Sequence, residues 1–196
     1  MRTSRLLQTS PPPPATACAV GRRRNGVYRI TDTNKDGTWD KVSVLRNILG
    51  SGQHGTHTLK LSPDGQHIHL ISGDDTPMPT VQASRVPPIW GEDDLIRVIP
   101  TNFNDYQLAP QATSVRFDKD GQVFELWAMG MRNPVDQAFN KDGELFTYDS
   151  DMEWDQGTPW YVPTRINHVV DAGDYGWRSG AGRWPSYYAD SLPSSL

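Results

Sequence analysis

Cysteine is nearly absent from this sequence. The single Cys18 among 196 residues allows no internal disulfide, so a cysteine-stapled secreted scaffold is excluded. No run of about 18 apolar residues occurs, which leaves no candidate membrane-spanning helix. The basic excess wanted by a phosphate-binding surface is also missing, because the formal net charge is -4, and a nucleic-acid partner is not expected. Alanine and leucine runs are scarce, which argues against a helical bundle. What the chain does have is 17 glycines, 16 prolines, 7 tryptophans and 7 tyrosines, a mixture suited to a turn-rich, all-β protein.

The first 24 residues are basic and proline-rich, with Pro11 to Pro14 in succession and Arg22-Arg23-Arg24 near the end. They contain no apolar segment long enough for a signal peptide and read as an unpacked tail, residues 1–24. From Asn25 the chain alternates. Val27-Tyr28-Arg29-Ile30 and Val42-Ser43-Val44-Leu45 read as strands on either side of an acidic loop. Then one unit recurs: apolar strand, Asp-Gly turn, strand. It is carried by Gly65, Gly121 and Gly143 in Ser62-Pro63-Asp64-Gly65, Asp118-Lys119-Asp120-Gly121 and Asn140-Lys141-Asp142-Gly143. A further strand is expected at Asp94–Ile99. Repeated antiparallel hairpins without helices predict a β-propeller, with a β-sandwich fragment as the alternative. Blades of about 40–50 residues make residues 25–196 a partial propeller of about four blades, truncated at the C-terminus, where Leu192-Pro193-Ser194-Ser195-Leu196 offers no closing element.

Several stretches could carry chemistry. Asp32, Asn34, Asp36, Thr38 and Asp40 fall at alternate positions of a calcium-loop frame around Gly37, but Ser43 stands where that frame needs glutamate. A calcium site and a solvated hairpin turn both fit. His54 and His57 precede a strand, where loops of such scaffolds hold functional groups; His54 is either a proton acceptor or a loop histidine bonded to a carbonyl. His67 and His69 share a strand face without a third metal ligand. Arg132-Asn133-Pro134 presents a guanidinium fork suited to a carboxylate or quinone oxygen, and equally to an ion pair with the carboxylates downstream, Asp149, Asp151, Glu153 and Asp155. Trp160, Tyr161, Arg165, Tyr175 and Trp177 form an aromatic stretch that reads either as a sugar or cofactor platform or as blade packing.

Taken as a set, Gly130-Met131-Arg132-Asn133-Pro134, Phe139-Asn140-Lys141-Asp142-Gly143-Glu144-Leu145-Phe146, Asn167 and Asp174-Tyr175-Gly176-Trp177 resemble the PQQ-dependent soluble sugar dehydrogenases, the glucose/sorbosone dehydrogenase family. Asp149 to Tyr161 and the Asp32 loop resemble a bacterial branch, common in planctomycetes, of membrane-bound dehydrogenase or haem-binding propellers often fused to cytochrome c. The resemblance implies a six-bladed β-propeller that oxidises a sugar or polyol outside the cytoplasm and passes electrons to a cytochrome. It implies His54 as general base, although His57 and Thr58 replace the glycine and arginine of the family's base motif. Arg132 would reach the cofactor, with Asn133, Asp149, Asp151 and Arg165 also expected at the PQQ site. The family's Gly-Pro carbonyl pair for calcium is missing, so that ion would fall to Asp149, Asp151 or Glu153. No haem-attachment motif occurs, which places any haem on a further domain or partner. A propeller binding carbohydrate or protein without turnover, or a fragment without activity of its own, are the rival expectations.

Overall fold

The longer strands after Asn25 form where the sequence alternates. The structure, a computed structural model, describes residues 16–21, 26–50, 52–87, 112–151 and 163–177. The strands are β1 (Thr16–Gly21), β2 (Gly26–Thr31), β3 (Lys41–Asn47), β4 (Thr56–Leu61), β5 (His67–Ser72), β6 (Ala83–Ser84), β7 (Ser114–Asp118), β8 (Phe124–Ala128), β9 (Asp136–Phe139), β10 (Leu145–Asp149) and β11 (Arg165–His168). No helix occurs among the described residues. The strands make three sheets, ordered β1-β2-β3, β4-β5-β7-β8-β6 and β11-β10-β9. Every pairing is antiparallel except the short parallel one of β6 with β8.

The three Asp-Gly turns are built alike. In the β9–β10 hairpin the Asn140 carboxamide oxygen accepts from the N–H groups of Asp142 and Glu144, both at 2.9 Å, and Gly143 closes the turn at φ 87°. A side chain would be strained there, which is why glycine recurs at this position. In the β7–β8 hairpin Asp118 does the work of Asn140, accepting from Gln122 and Val123 at 2.7 Å each.

The alternating faces of the strands build two cores. Ile68, Leu70, Val115, Phe117, Phe124 and Leu126 of the second sheet pack with Val27 and Ile48. Phe117 and Phe124 stack with centroids 4.5 Å apart. The second core joins Ala128 and Met131 to Leu145, Val169 and Tyr175 of the third-sheet region. Each core thus lies between neighbouring sheets, as blade packing requires. A polar tie crosses the second boundary: the buried Gln137 amide of β9 donates to the carbonyls of Thr58 (3.1 Å) on β4 and His69 (2.9 Å) on β5.

His69 sits at that boundary, 5% exposed and edge-on to both Trp127 and Phe139. Burial, with the positive Arg116 nearby, pushes its pKa down from 6.5 to about 4. The folded protein therefore holds a neutral ring that the unfolded chain protonates below 6.5, and between those values the unfolded state binds the extra proton. Stability is expected to fall as pH drops from 6.5 to 4, by roughly 3 kcal/mol at most. Chemical denaturation across that range checks this: His69→Phe should flatten the profile, and an unchanged slope in the variant would contradict the assignment.

Three differences from the sequence reading are informative. Thr16–Gly21 lies within the expected tail, yet it pairs with β2, from Thr16↔Thr31 to Gly21↔Gly26. The short Ala-Cys-Ala-Val run between the prolines and the arginines finds an open sheet edge, which a composition argument overlooks. β6 lies where the sequence gives no strand expectation, and β11 in the aromatic stretch read either as a platform or as blade packing; both are short and lack clear alternation. The expected Asp94–Ile99 strand lies outside the described residues.

Candidate functional site

The strand directions bring four segments to one end of the second and third sheets: His54 before β4, Gly73-Asp74-Asp75 after β5, Arg132-Asn133 before β9, and Asp149-Ser150-Asp151 at and after the end of β10. They are tied together. Asp74 N donates to Arg132 O at 2.9 Å, Gly73 N to Gly55 O at 2.8 Å, and Asp75 N to His54 O at 3.2 Å. His57 Nε2 meets Asn133 Oδ1 at 2.6 Å. Gly73 is where the segments touch most closely: a Cβ there would lie 2.5 Å from Asn133 Oδ1 and 2.6 Å from His54 O. Only glycine lets the His54 and Asn133 segments approach so near.

Within this cluster His54 Nδ1 bonds the Asp74 carboxylate, whose side chain is fully buried, while the His54 side chain is 12% exposed. A carboxylate only accepts, so Nδ1 carries the proton in this pair and the neutral ring keeps its lone pair on Nε2. A carboxylate so placed fixes the imidazole's tautomer and orientation, a geometry that suits an oriented general base.

Arg132 is held at both backbone and side chain. Its main-chain N–H donates to Asp149 Oδ2 at 3.2 Å. Its guanidinium donates to Asp151 O at 3.0 Å and Ser150 Oγ at 3.3 Å, and lies 3.8 Å from Asp151 Oδ1. Asp149 is the hub. Oδ1 accepts from the N–H groups of Asn133 (2.8 Å) and Ser150 (3.0 Å); Oδ2 also receives the Asn167 amide at 3.4 Å and lies 3.8 Å from Arg165 Nη2. Burial raises the Asp149 pKa above the ordinary carboxylate value, opposed by the Arg165 charge and by the N–H groups of Arg132, Asn133 and Ser150. Every one of these partners is a donor, which an ionised carboxylate satisfies.

The motif after residue 128 now has a structural reason. Met129 pairs with Asp174, with Tyr175 N donating to Met129 O (3.0 Å) and Trp177 N to Gly130 O (2.8 Å). Gly130 adopts φ 79°, and a Cβ on it would come within 2.8 Å of Tyr175 N. Asp174-Tyr175-Gly176-Trp177 thus braces the segment that delivers Arg132. Tyr175 and Trp177 are buried, so this part of the aromatic stretch packs the fold instead of offering an open platform.

Of the residues singled out in the sequence, His54, Arg132, Asn133, Asp149, Asp151 and Arg165 come together. The calcium expectations fare differently. The Asp149 oxygens are turned onto N–H donors, which a cation would have to displace, so this carboxylate does not fit as a calcium ligand. Glu153 lies outside the described residues. In the β2–β3 hairpin, Asp32 is turned onto the N–H groups of Lys35 (2.6 Å), Asp36 (3.2 Å) and Gly37 (2.7 Å), and Asp40 onto Thr33. Asn34 and Asp36 bond each other, and Thr38 N donates to Asp36. Among the described residues no three His, Cys, Asp or Glu side chains are grouped to hold a metal. A spacing of alternate oxygens is shared by calcium loops and by self-capping turns, and here the second use accounts for the bonds.

Asp74 is the residue the sequence reading missed. Its signal was available: Gly73-Asp74-Asp75 follows the strand paired with the one His54 introduces, so the two must emerge at the same end.

No protein-family model matches the chain, and a comparison with curated proteins finds no match. Solved structures do match. A putative oxidoreductase (glucose dehydrogenase) from Thermus thermophilus is 22% identical, with TM-score 0.51, over 94% of this chain and 54% of its own. A glucose dehydrogenase is 18% identical, TM-score 0.52, over 93% and 52%. The holo PQQ domain of pyranose dehydrogenase from Coprinopsis cinerea is 12% identical, TM-score 0.51, over 81% and 38%. The chain therefore spans about half the length, or less, of these neighbours. At such identities the likeness speaks for architecture: the chain has the all-β fold of part of a β-propeller, shared with sugar dehydrogenases.

Proposed function

We propose that the His54 cluster is the proton-accepting half of a quinone-dependent site that oxidises a sugar or polyol hydroxyl. The observation that carries this reading is the His54–Asp74 pair, hydrogen-bonded through the Asp74 backbone to the segment that holds Arg132. The donor set supports PQQ as the group bound: guanidinium and carboxamide N–H groups complement the carbonyl and carboxylate oxygens of a quinone. Arg132, Asn133 and Arg165 would hold it. Bound there, PQQ supplies the acceptor for the two electrons that leave the substrate carbon.

The rest falls to this chain. Nε2 of His54 takes the hydroxyl proton, and the bond from Nδ1 to Asp74 stabilises the resulting imidazolium. Arg132 offers positive charge where negative charge develops on an oxygen. Gly73 keeps the base and the Asn133 segment in register. Calcium is given no step, since Asp149 and Asp32 direct their oxygens to the chain itself. Electron passage to a cytochrome c domain or partner, as in the planctomycete branch, and a periplasmic or secreted location belong to the same proposal and rest on the resemblance.

The test is reconstitution of the full chain with PQQ, with binding followed by titration and dye reduction followed across a panel of aldoses and polyols. Sugar-dependent reduction is expected. Failure of the full chain to bind PQQ, with or without added calcium, would sink the reading.

A further inference from the structure

The second sheet shows what a sheet with a neighbour on each face looks like. Its long strands, β4, β5, β7 and β8, expose no large apolar side chain. The first and third sheets flank it, and each turns one face toward it. Their other faces differ from an ordinary wet surface.

In the first sheet, Arg29 points at the second: its guanidinium bonds Lys119 O and lies 3.6 Å from Asp120 Oδ1. Arg46 lies over the Phe124 ring, 4.2 Å from its centroid. The residues on either side of Arg29 face the opposite way. Register sets Tyr28 beside Val44 and Ile30 beside Val42, four side chains without a charge. Val42 is 64% exposed and Val44 57%.

The third sheet repeats the pattern. Leu145, Thr147 and Asp149 are buried on the face toward the second sheet, with Gln137 beside Thr147. The alternate positions turn outward: Phe146 beside Ala138, and Tyr148 beside Ile166. Tyr148 is 45% exposed and Ile166 63%. An antiparallel sheet with one face in water puts polar residues on that face. Here valine, phenylalanine, tyrosine and isoleucine stand there, at both ends of the row of sheets and not in its middle.

A row of stacked blades that is apolar at both ends is a ring left open. Two observations name what closes it. The chain spans about half the length of the solved structures that share its fold, so one further copy supplies the remainder. The two uncovered faces are also unlike, one on the first sheet and one on the third. A two-fold axis then makes two identical junctions at once and leaves no apolar face over. Three abreast, strands of four to seven residues cover roughly 13–23 Å by 14 Å, about 200–300 Å² per face in projection. Four such faces, with side-chain relief added, reach about the 1,200 Å² at which specific interfaces begin.

We propose that two copies of this chain pair about a two-fold axis and close one ring. The third-sheet face of each copy, with Phe146, Tyr148 and Ile166, lies on the first-sheet face of the other, with Ile30, Val42 and Val44. The pairing needs no cofactor, so it and the redox reading can fail separately.

The test is sedimentation velocity of the full chain across a dilution series, without PQQ. A species of twice the chain mass is expected. Val44→Lys and Ile166→Glu should each raise its dissociation constant about 100-fold, a tenfold loss at each of two junctions. Both residues are exposed, so neither change disturbs a core. Val123→Lys, in the β7–β8 turn of the second sheet and also exposed, should leave association unchanged. A mixture of the Val44→Lys and Ile166→Glu chains should pair more tightly than either alone, because the mixed pair brings the opposite charges to one junction and leaves the other intact. The proposal is overturned by a chain that stays monomeric at every concentration, by assemblies larger than the pair, by a dimer indifferent to either substitution, or by a mixture no tighter than its components.

Discussion

Replacing His54 with alanine is expected to lower PQQ-supported, sugar-dependent dye reduction by about 10²–10⁴-fold, the span of general-base contributions. The loss should fall on kcat, because Nε2 acts on the proton as the C–H bond breaks, whereas binding of the sugar ring depends on other groups. Asp74→Asn should reproduce part of this loss. An asparagine can still meet Nδ1 with its carbonyl oxygen but brings no charge to stabilise the imidazolium, and with its NH₂ turned inward it would select the wrong tautomer. The two side chains act as a unit, so the double variant should be hardly worse than His54→Ala alone. Additive losses would mean that Asp74 serves some other purpose.

Asp149→Ala is expected to cost about 3–5 kcal/mol of folding stability, the scale for breaking a buried charge pair. The side chain is fully buried and within reach of three main-chain N–H groups, the Asn167 amide and Arg165. Alanine strips all of them at once and leaves the largely buried Arg165 without that countercharge. Asp149→Asn should fare better than alanine but remain destabilised, because one of the two carboxylate oxygens becomes a donor facing donors. Denaturant midpoints check the order. If Asp149 were instead a cation ligand, adding calcium would stabilise the wild type and not the variants; no such difference is expected.

Much of this architecture was legible from short-range chemistry. Each Asp-Gly turn identified in the sequence is a hairpin turn, since Asp118 and Asn140 cap their own loops and glycine adopts the conformation other residues avoid. His54 and Arg132 were legible as candidates because both lie just outside strands. Partnerships across the sequence were harder to see. His54 meets a residue 20 positions away, and Gln137 bridges to carbonyls 79 and 68 positions away, distances over which alternation carries no information. The Asp32 loop stayed open between two readings for a definite reason: carboxylates that cap backbone N–H groups of a tight turn and carboxylates that bind calcium can share the same spacing. The strand within the supposed tail was hidden because pairing depends on an open edge elsewhere in the chain.

The protonation pattern of His54 is the most direct test of the account, because it needs neither cofactor nor substrate. Nitrogen-15 spectra of the full chain should show the neutral ring protonated at Nδ1 and bare at Nε2, and Asp74→Asn should disturb that pattern while leaving His168 unchanged. A neutral His54 protonated at Nε2, or one indifferent to the Asp74 substitution, would contradict the claim that these loops assemble a base at one end of the sheets.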